Sequence, residues 1–176
     1  MLVLGRTHAL IGVSVSWALV VALGTGEQRV IWLLCGALGA LLPDLDSPRS
    51  LLTGWQIVGL SPLQPLARLT HRTFGHRGAL HSLLGWGVAS CAFLSLGLLF
   101  PGACGPGVAL SLGYLSHLLA DGCTKTGIPL LYPRRQRYRL LPRALRLSTG
   151  SLAEEALFAI LGAVFIAQLL VTLHSF

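Results

Sequence analysis

The chain has 176 residues, of which 53% are hydrophobic and only 11% charged; soluble domains carry about 25% charge, so a surface wetted on all sides is excluded. The formal net charge is +7 and the mean hydropathy +0.72, which fits a single integral membrane domain over residues 1–176. Cys35, Cys91, Cys104 and Cys123 show no CxxC or metal-ligand spacing, and nothing in their placement suggests a disulfide framework.

Five apolar segments are expected as helices, at 8–23, 30–42, 80–100, 105–121 and 156–173. The first follows Arg6, opens on His8 and ends "ALG", a pattern similar to a signal peptide. The thin charge and His8 at its boundary favour a retained helix. The second, "VIWLLCGALGALL", is short for a crossing and reads as a spanning, buried or re-entrant helix. It ends in "LLPDLDSP", with Asp44 and Asp46. In the 43–79 loop, "SPLQPLARLTHRTF" mixes Leu with Arg behind its prolines and predicts a short interfacial helix, with His71 an ordinary loop residue.

"FGHRGALHSLLGW" then carries His76, Arg77 and His81 into the third segment, which is long enough to span. The fourth ends "GYLSHLLADG", placing His117 and Asp121 four apart on one helix face. In the 122–155 loop Arg135, Arg137 and Arg139 alternate with Gln136, Tyr138 and Leu140, a weak strand-like period. "SLAE" reads as a capping box from Ser151 to Glu154, opening the fifth segment. No period-2 alternation runs through the apolar segments, so the fold class is all-α: a polytopic membrane helix bundle with two long loops.

If all five segments cross, the N-terminus and both long loops share one side, which holds twelve of the thirteen Lys and Arg residues. The positive-inside rule makes that side cytoplasmic, in a bacterial inner membrane. His8, Asp44, Asp46, His76, His81, His117, Asp121 and Glu154 then all fall in one layer at the cytoplasmic helix ends. Singly, each has an ordinary reading: a polar helix tip, turn chemistry at "PDLDSP", a helix cap. Jointly, imidazoles and carboxylates without thiolate suit Zn²⁺, Mn²⁺ or Fe²⁺. A cation would also offset the penalty of Asp44, Asp46 and Asp121 at helix C-termini, about 0.3–1 kcal/mol each; a salt bridge to Arg72 or Arg77 would do the same.

"HALIG", "GALLPDLDSPRS", "FGHRGALHSLL" and "LGYLSHLLADGCTKTGIPLLYPRR", in that order, resemble the YdjM-like family of membrane-bound, metal-dependent hydrolases. That family is also described as LexA-binding inner-membrane hydrolases and is distantly similar to zinc-dependent phospholipase C and P1 nuclease. The resemblance implies one or two divalent ions, Zn²⁺ first, held among His8, Asp44, Asp46, His76, His81, His117 and Asp121. It implies phosphoester chemistry by analogy. One departure is Ser47, where some relatives carry a further histidine.

The expected activity is hydrolysis of a phosphoester or lipid-like substrate at the cytoplasmic membrane face. Asp46 or Glu154 would be the general base. Arg77 would hold the substrate anion, with Arg135 and Arg137 on anionic headgroups. The expected partners are membrane lipids, with neither nucleic acid nor a protein partner. Two rivals stand beside it: a metal or ion transporter, disfavoured by the charge-free middles of segments one, three, four and five, and a non-catalytic protein with a structural metal.

Overall fold

The computed structural model describes residues 3–23, 28–48, 50–56, 60–74, 77–100, 102–134, 136–148 and 150–174. Among these, six α-helices appear: α1 (Val3–Leu23), α2 (Arg29–Leu41), α3 (Gln64–Phe74), α4 (Leu83–Leu99), α5 (Cys104–Gly122) and α6 (Leu152–His174). The five expected apolar segments are α1, α2, α4, α5 and α6, and α3 is the expected short helix of the first long loop.

Local sequence explains where these helices stop. Pro43 cannot continue α2, so the chain tightens into a 3₁₀ turn, Leu42–Asp46. Ser82 takes an extended backbone and accepts the Gly85 N–H at 3.2 Å, which starts α4 after His81. That cap shortens the third segment to 17 helical residues, about 25 Å against a hydrocarbon core of about 30 Å. By length and composition two helices meet the requirement for crossing a membrane, Gly5–Leu23 and Leu152–Thr172, while Leu83–Leu99 is apolar but shorter. A complete five-helix crossing is therefore not established by helix length.

α5 is central and packs against α1, α2 and α4, while α6 lies against α1. The approach of α1, α2 and α5 is close because glycines meet there. A Cβ on Gly36 of α2 would collide with Ser16 and the Gly12 carbonyl of α1, and one on Gly113 of α5 would strike the Gly36 carbonyl. Such small-residue contacts suit membrane helices, where packing rather than hydrophobic exclusion drives association. Trp17, Val20, Trp32 and Ala109 fill the core at one end, with Phe165 of α6 edge-on to Trp17. Tyr114, Leu118 and Ile128 fill it near the loops. Outward, α4 and α6 expose Val88, Leu98, Ile160, Val164 and Val171, a surface suited to lipid.

Gly36→Val tests the helix crossing. Overpacking commonly costs about 1–3 kcal/mol, and two rigid backbones here leave no room to relax, so the upper end is expected. Thermal unfolding of the purified protein in detergent reads it; an unchanged midpoint would show that the helices do not approach this closely.

Candidate metal centre

Five side chains from four places in the chain meet at the loop-side ends of the helices. His8 comes from α1, Asp44 from the turn after α2, His81 from the 3₁₀ turn Ala79–His81 before α4, and His117 and Asp121 from α5. They form two overlapping triads, His8–His117–Asp121 and Asp44–His81–His117, whose donor atoms lie within 4.8 Å of one another. His81 and His117 face each other through Nε2 at 3.2 Å. His8 Nε2 is 3.5 Å from Asp121 Oδ1, and His81 Nε2 is 3.7 Å from both Asp44 Oδ1 and Asp121 Oδ2. His117 Nε2 is 3.9 Å from Asp44 Oδ1. A tetrahedral ion with ligand bonds of 2.0–2.2 Å separates its ligand atoms by about 3.3–3.6 Å, so the donor set fits with small adjustments.

Hydrogen bonds behind the rings decide what they present. His117 Nδ1 lies 2.7 Å from the Ala40 carbonyl; a carbonyl only accepts, so Nδ1 carries the hydrogen and Nε2 offers a lone pair. His81 Nδ1 lies 3.1 Å from Asp46 Oδ2 and donates by the same argument. In the neutral rings two lone pairs would oppose each other at 3.2 Å, inside a site where His8, His81, His117 and Asp121 are all buried. A cation or a proton between them removes that repulsion. His8 stacks on His117 with centroids 3.8 Å apart, and its Nδ1 is buried without a hydrogen-bond partner. The Asp44 side chain keeps 18% exposure, so the centre opens there.

His81 lies ahead of α4, outside the helices. Burial pulls its pKa down, but the Asp44 and Asp46 carboxylates outweigh this, aided by Asp121, and push it up to about 9. Asp44 moves the other way. Burial raises it, yet the His81 hydrogen bond and the charges of His117, His81 and His8 hold it below the usual carboxylate range. In the metal-free state a proton on His81 therefore takes the place a cation would fill.

The remaining expected residues are sorted by position. Asp46 does not join the donor atoms: it is buried behind His81, where Oδ2 accepts from His81 Nδ1 and from the Arg77 N–H at 2.9 Å. A ring so held is oriented by its carboxylate, the usual arrangement behind a metal-binding histidine. Asp46, expected as a ligand or base, thus lies behind His81 and outside the two donor triads. Glu154 is likewise occupied elsewhere. Its Oε2 accepts the Gly150 N–H at 2.6 Å, its Oε1 faces Thr7 at 3.4 Å, and its own N–H meets Ser151 Oγ at 3.4 Å. This is the helix cap that "SLAE" predicts, shifted one residue.

Arg77 stands at the mouth. Its guanidinium contacts Asp121 Oδ2 at 2.9 Å and Thr126 Oγ1, with a positive φ of 57° turning the chain. Arg137 is exposed and donates to the Gly127 carbonyl at 3.3 Å, away from the donor atoms. His76 and Arg135 lie outside the described residues.

Sequence reading missed three supports. The Ala40 carbonyl and Thr126 fall inside the motifs, but a backbone carbonyl and a threonine give no ligand signal there. His71, expected as an ordinary loop residue, lies with Nδ1 3.0 Å from the Asp46 carbonyl. Beside it Thr70 donates to the Leu45 carbonyl at 3.0 Å and Gln64 to the Pro48 carbonyl at 2.6 Å. α3 thus braces the turn that carries Asp44.

The arrangement defines a helical membrane protein with a buried histidine–carboxylate centre able to hold a divalent cation. The sequence model described as YdjM inner membrane protein matches residues 3–175, and the chain belongs to that family. It is 43% identical over 106 residues to inner membrane protein YdjM of Escherichia coli (strain K12), covering 58% of this chain and 50% of that one. The same figures hold for YdjM of Shigella flexneri. The chain thus spans about half the length of these relatives. A Bacillus subtilis (strain 168) protein named YvsG is 32% identical over 155 residues, 88% of this chain and 87% of its own. No solved structure matches.

The His81 proton gives a signed pH dependence. Its folded pKa of about 9 lies above the ordinary 6.5, so the stabilisation is complete below pH 6.5 and is lost as pH rises through 9. Metal-free protein should lose thermal stability over that window, whereas metal-loaded protein should not. Asp46→Asn should flatten the slope and weaken metal binding about 10–100-fold. A slope of equal size in both forms of the wild type would show that His81 is not the group titrating.

Proposed function

We propose that this protein is a membrane-embedded, divalent-metal-dependent hydrolase that cleaves a phosphoester or lipid-like substrate at the cytoplasmic face of the inner membrane. The observation that carries the reading is the pair of opposed Nε2 atoms, 3.2 Å apart and hydrogen-bonded from behind so that both lone pairs point inward. The donors His8, Asp44, His81, His117 and Asp121 suit Zn²⁺, with Mn²⁺ or Fe²⁺ as further candidates. Among the described residues they supply one ion. His117 is common to both triads, and one imidazole Nε2 has a single lone pair to give.

When bound, such a cation supplies Lewis acidity toward a phosphoryl oxygen and brings the pKa of water toward about 7. The protein's own groups supply the rest. Arg77, held by Asp121 and Thr126 beside the opening, presents a planar fork to an anionic oxygen. Asp44, the partly exposed carboxylate of the set, is placed to take a proton from water. Asp46 and Ala40 keep the imidazoles oriented, and burial of the other donors limits water to the side of the reacting bond. The orientation follows from the basic loops: twelve of thirteen Lys and Arg fall on the side of the centre if every apolar helix crosses.

The near-complete burial of four donors also suits a purely structural ion, and substitutions separate the two. Purified protein should carry about one metal per chain, and His117→Ala should lose it. Arg77→Ala and Asp44→Asn should lower phosphoester turnover about 100-fold or more while most of the metal stays bound. Full turnover in both variants, or metal-free protein with no response to added Zn²⁺, would refute the enzyme.

A further inference from the structure

On the face of α5 next to the one bearing His117 and Asp121, Leu115, Leu118, Leu119 and Gly122 line a cavity of about 120 Å³. Its other wall is the segment that follows α5, folded back on the helix. That wall is built by backbone pairing: Ile128 and Tyr138 exchange N–H···O bonds of 3.1 and 2.8 Å, Leu140 donates to the Gly122 carbonyl at 2.8 Å, and Leu83 donates to Leu130 at 2.9 Å. The pairing gives physical meaning to the alternation in "RRQRYRLLP". Tyr138 and Leu140 turn into the cavity, while Arg137 and Arg139, which alternate with them in the chain, are exposed and donate to the Gly127 and Lys125 carbonyls. Leu119 and Leu140 are both half exposed, so the cavity opens at the protein surface.

A cleft lined this way by aliphatic side chains takes hydrocarbon in preference to polar groups. Exposed Arg137 and Arg139 on the wall segment, in a protein of a membrane family, favour an anionic amphiphile over a neutral one. The cavity also starts beside the centre. Gly122 follows Asp121 directly, and Ile128 stands two residues beyond Thr126, the partner of Arg77. We propose that this groove seats a few methylenes of the hydrocarbon chain of a bilayer lipid whose anionic headgroup reaches Arg77, so that the substrate of the centre is an anionic lipid drawn from the membrane. The inference rests on the hydrolase reading for the fate of the headgroup, but the chain site stands on its own observations.

The test uses the full metal-loaded protein in nanodiscs containing phosphatidylglycerol with a photoreactive diazirine in its acyl chain. After illumination, peptides covering Leu115–Gly122 and Ile128–Leu140 should be labelled about tenfold above equal lengths of α6, a preference of about 1.4 kcal/mol. Leu119→Trp, which fills the groove, should bring that labelling down to the α6 level with metal content unchanged. Leu140→Arg, on the opposite wall, is a second variant with the same expectation. Even labelling of α4, α6 and the groove overturns the proposal, as does labelling that neither variant reduces. Concentrated labelling in a protein that hydrolyses no ester keeps the chain site and removes the hydrolase. Turnover of a short soluble phosphoester with even labelling removes the chain site and keeps the hydrolase.

Discussion

The Ala40 carbonyl accepting the His117 Nδ1–H at 2.7 Å joins the fold to the site. A helix leaves its last four carbonyls without intrahelical partners, and Ala40 lies in the last turn of α2 because Pro43 stops the helix two residues after Leu41. His117 satisfies that carbonyl and is thereby fixed in one tautomer, Nε2 inward. The contact exists only because α2 and α5 nearly touch, with Gly36 and Gly113 leaving backbone against backbone. Helix termination, glycine packing and donor orientation are thus one constraint seen at three scales.

Charge completes the description. Asp44 and Asp121 stand at the C-terminal ends of α2 and α5, where the helix dipole already disfavours an anion, and burial disfavours it further. Arg77 offsets part of this through Asp121. A protonated His81 offsets the rest, in the place that the proposed cation would take. Asp46 serves either state, since it accepts from His81 Nδ1 whichever occupant is present.

The periphery has a different logic. α6 is held to α1 by Arg6 with Glu155, and Arg6 also stacks over Phe158 at 4.7 Å. Beyond that end α6 presents aliphatic side chains outward. α3 presents Leu66, Leu69 and Arg68 outward while its Thr70 and His71 hold the Asp44–Asp46 turn from within. In the second long loop Ile128 is buried and Tyr138 half-buried, while Arg137, Arg139 and Arg143 are exposed. In each case a lipid-facing or headgroup-facing surface lies one layer from the buried polar centre.

The sequence by itself determined the helices, their polar ends and the convergence of His8, Asp44, His81, His117 and Asp121, because helix ends are set by local signals such as Pro43 and Ser82 and because alternating helices return to one side. It also offered the cap at Glu154 beside a role as general base, since Ser-x-x-Glu spacing is a local property. Tertiary structure alone decided which polar groups enter the donor cluster and which stand behind it. Asp44 and Asp46 are two residues apart in one acidic turn, yet one opens to solvent and the other orients His81. Their difference depends on where α4 and α3 bring His81 and His71, contacts 35 and 25 residues distant in the chain. No local pattern encodes such a distance, so roles within the centre are fixed by packing rather than by motif.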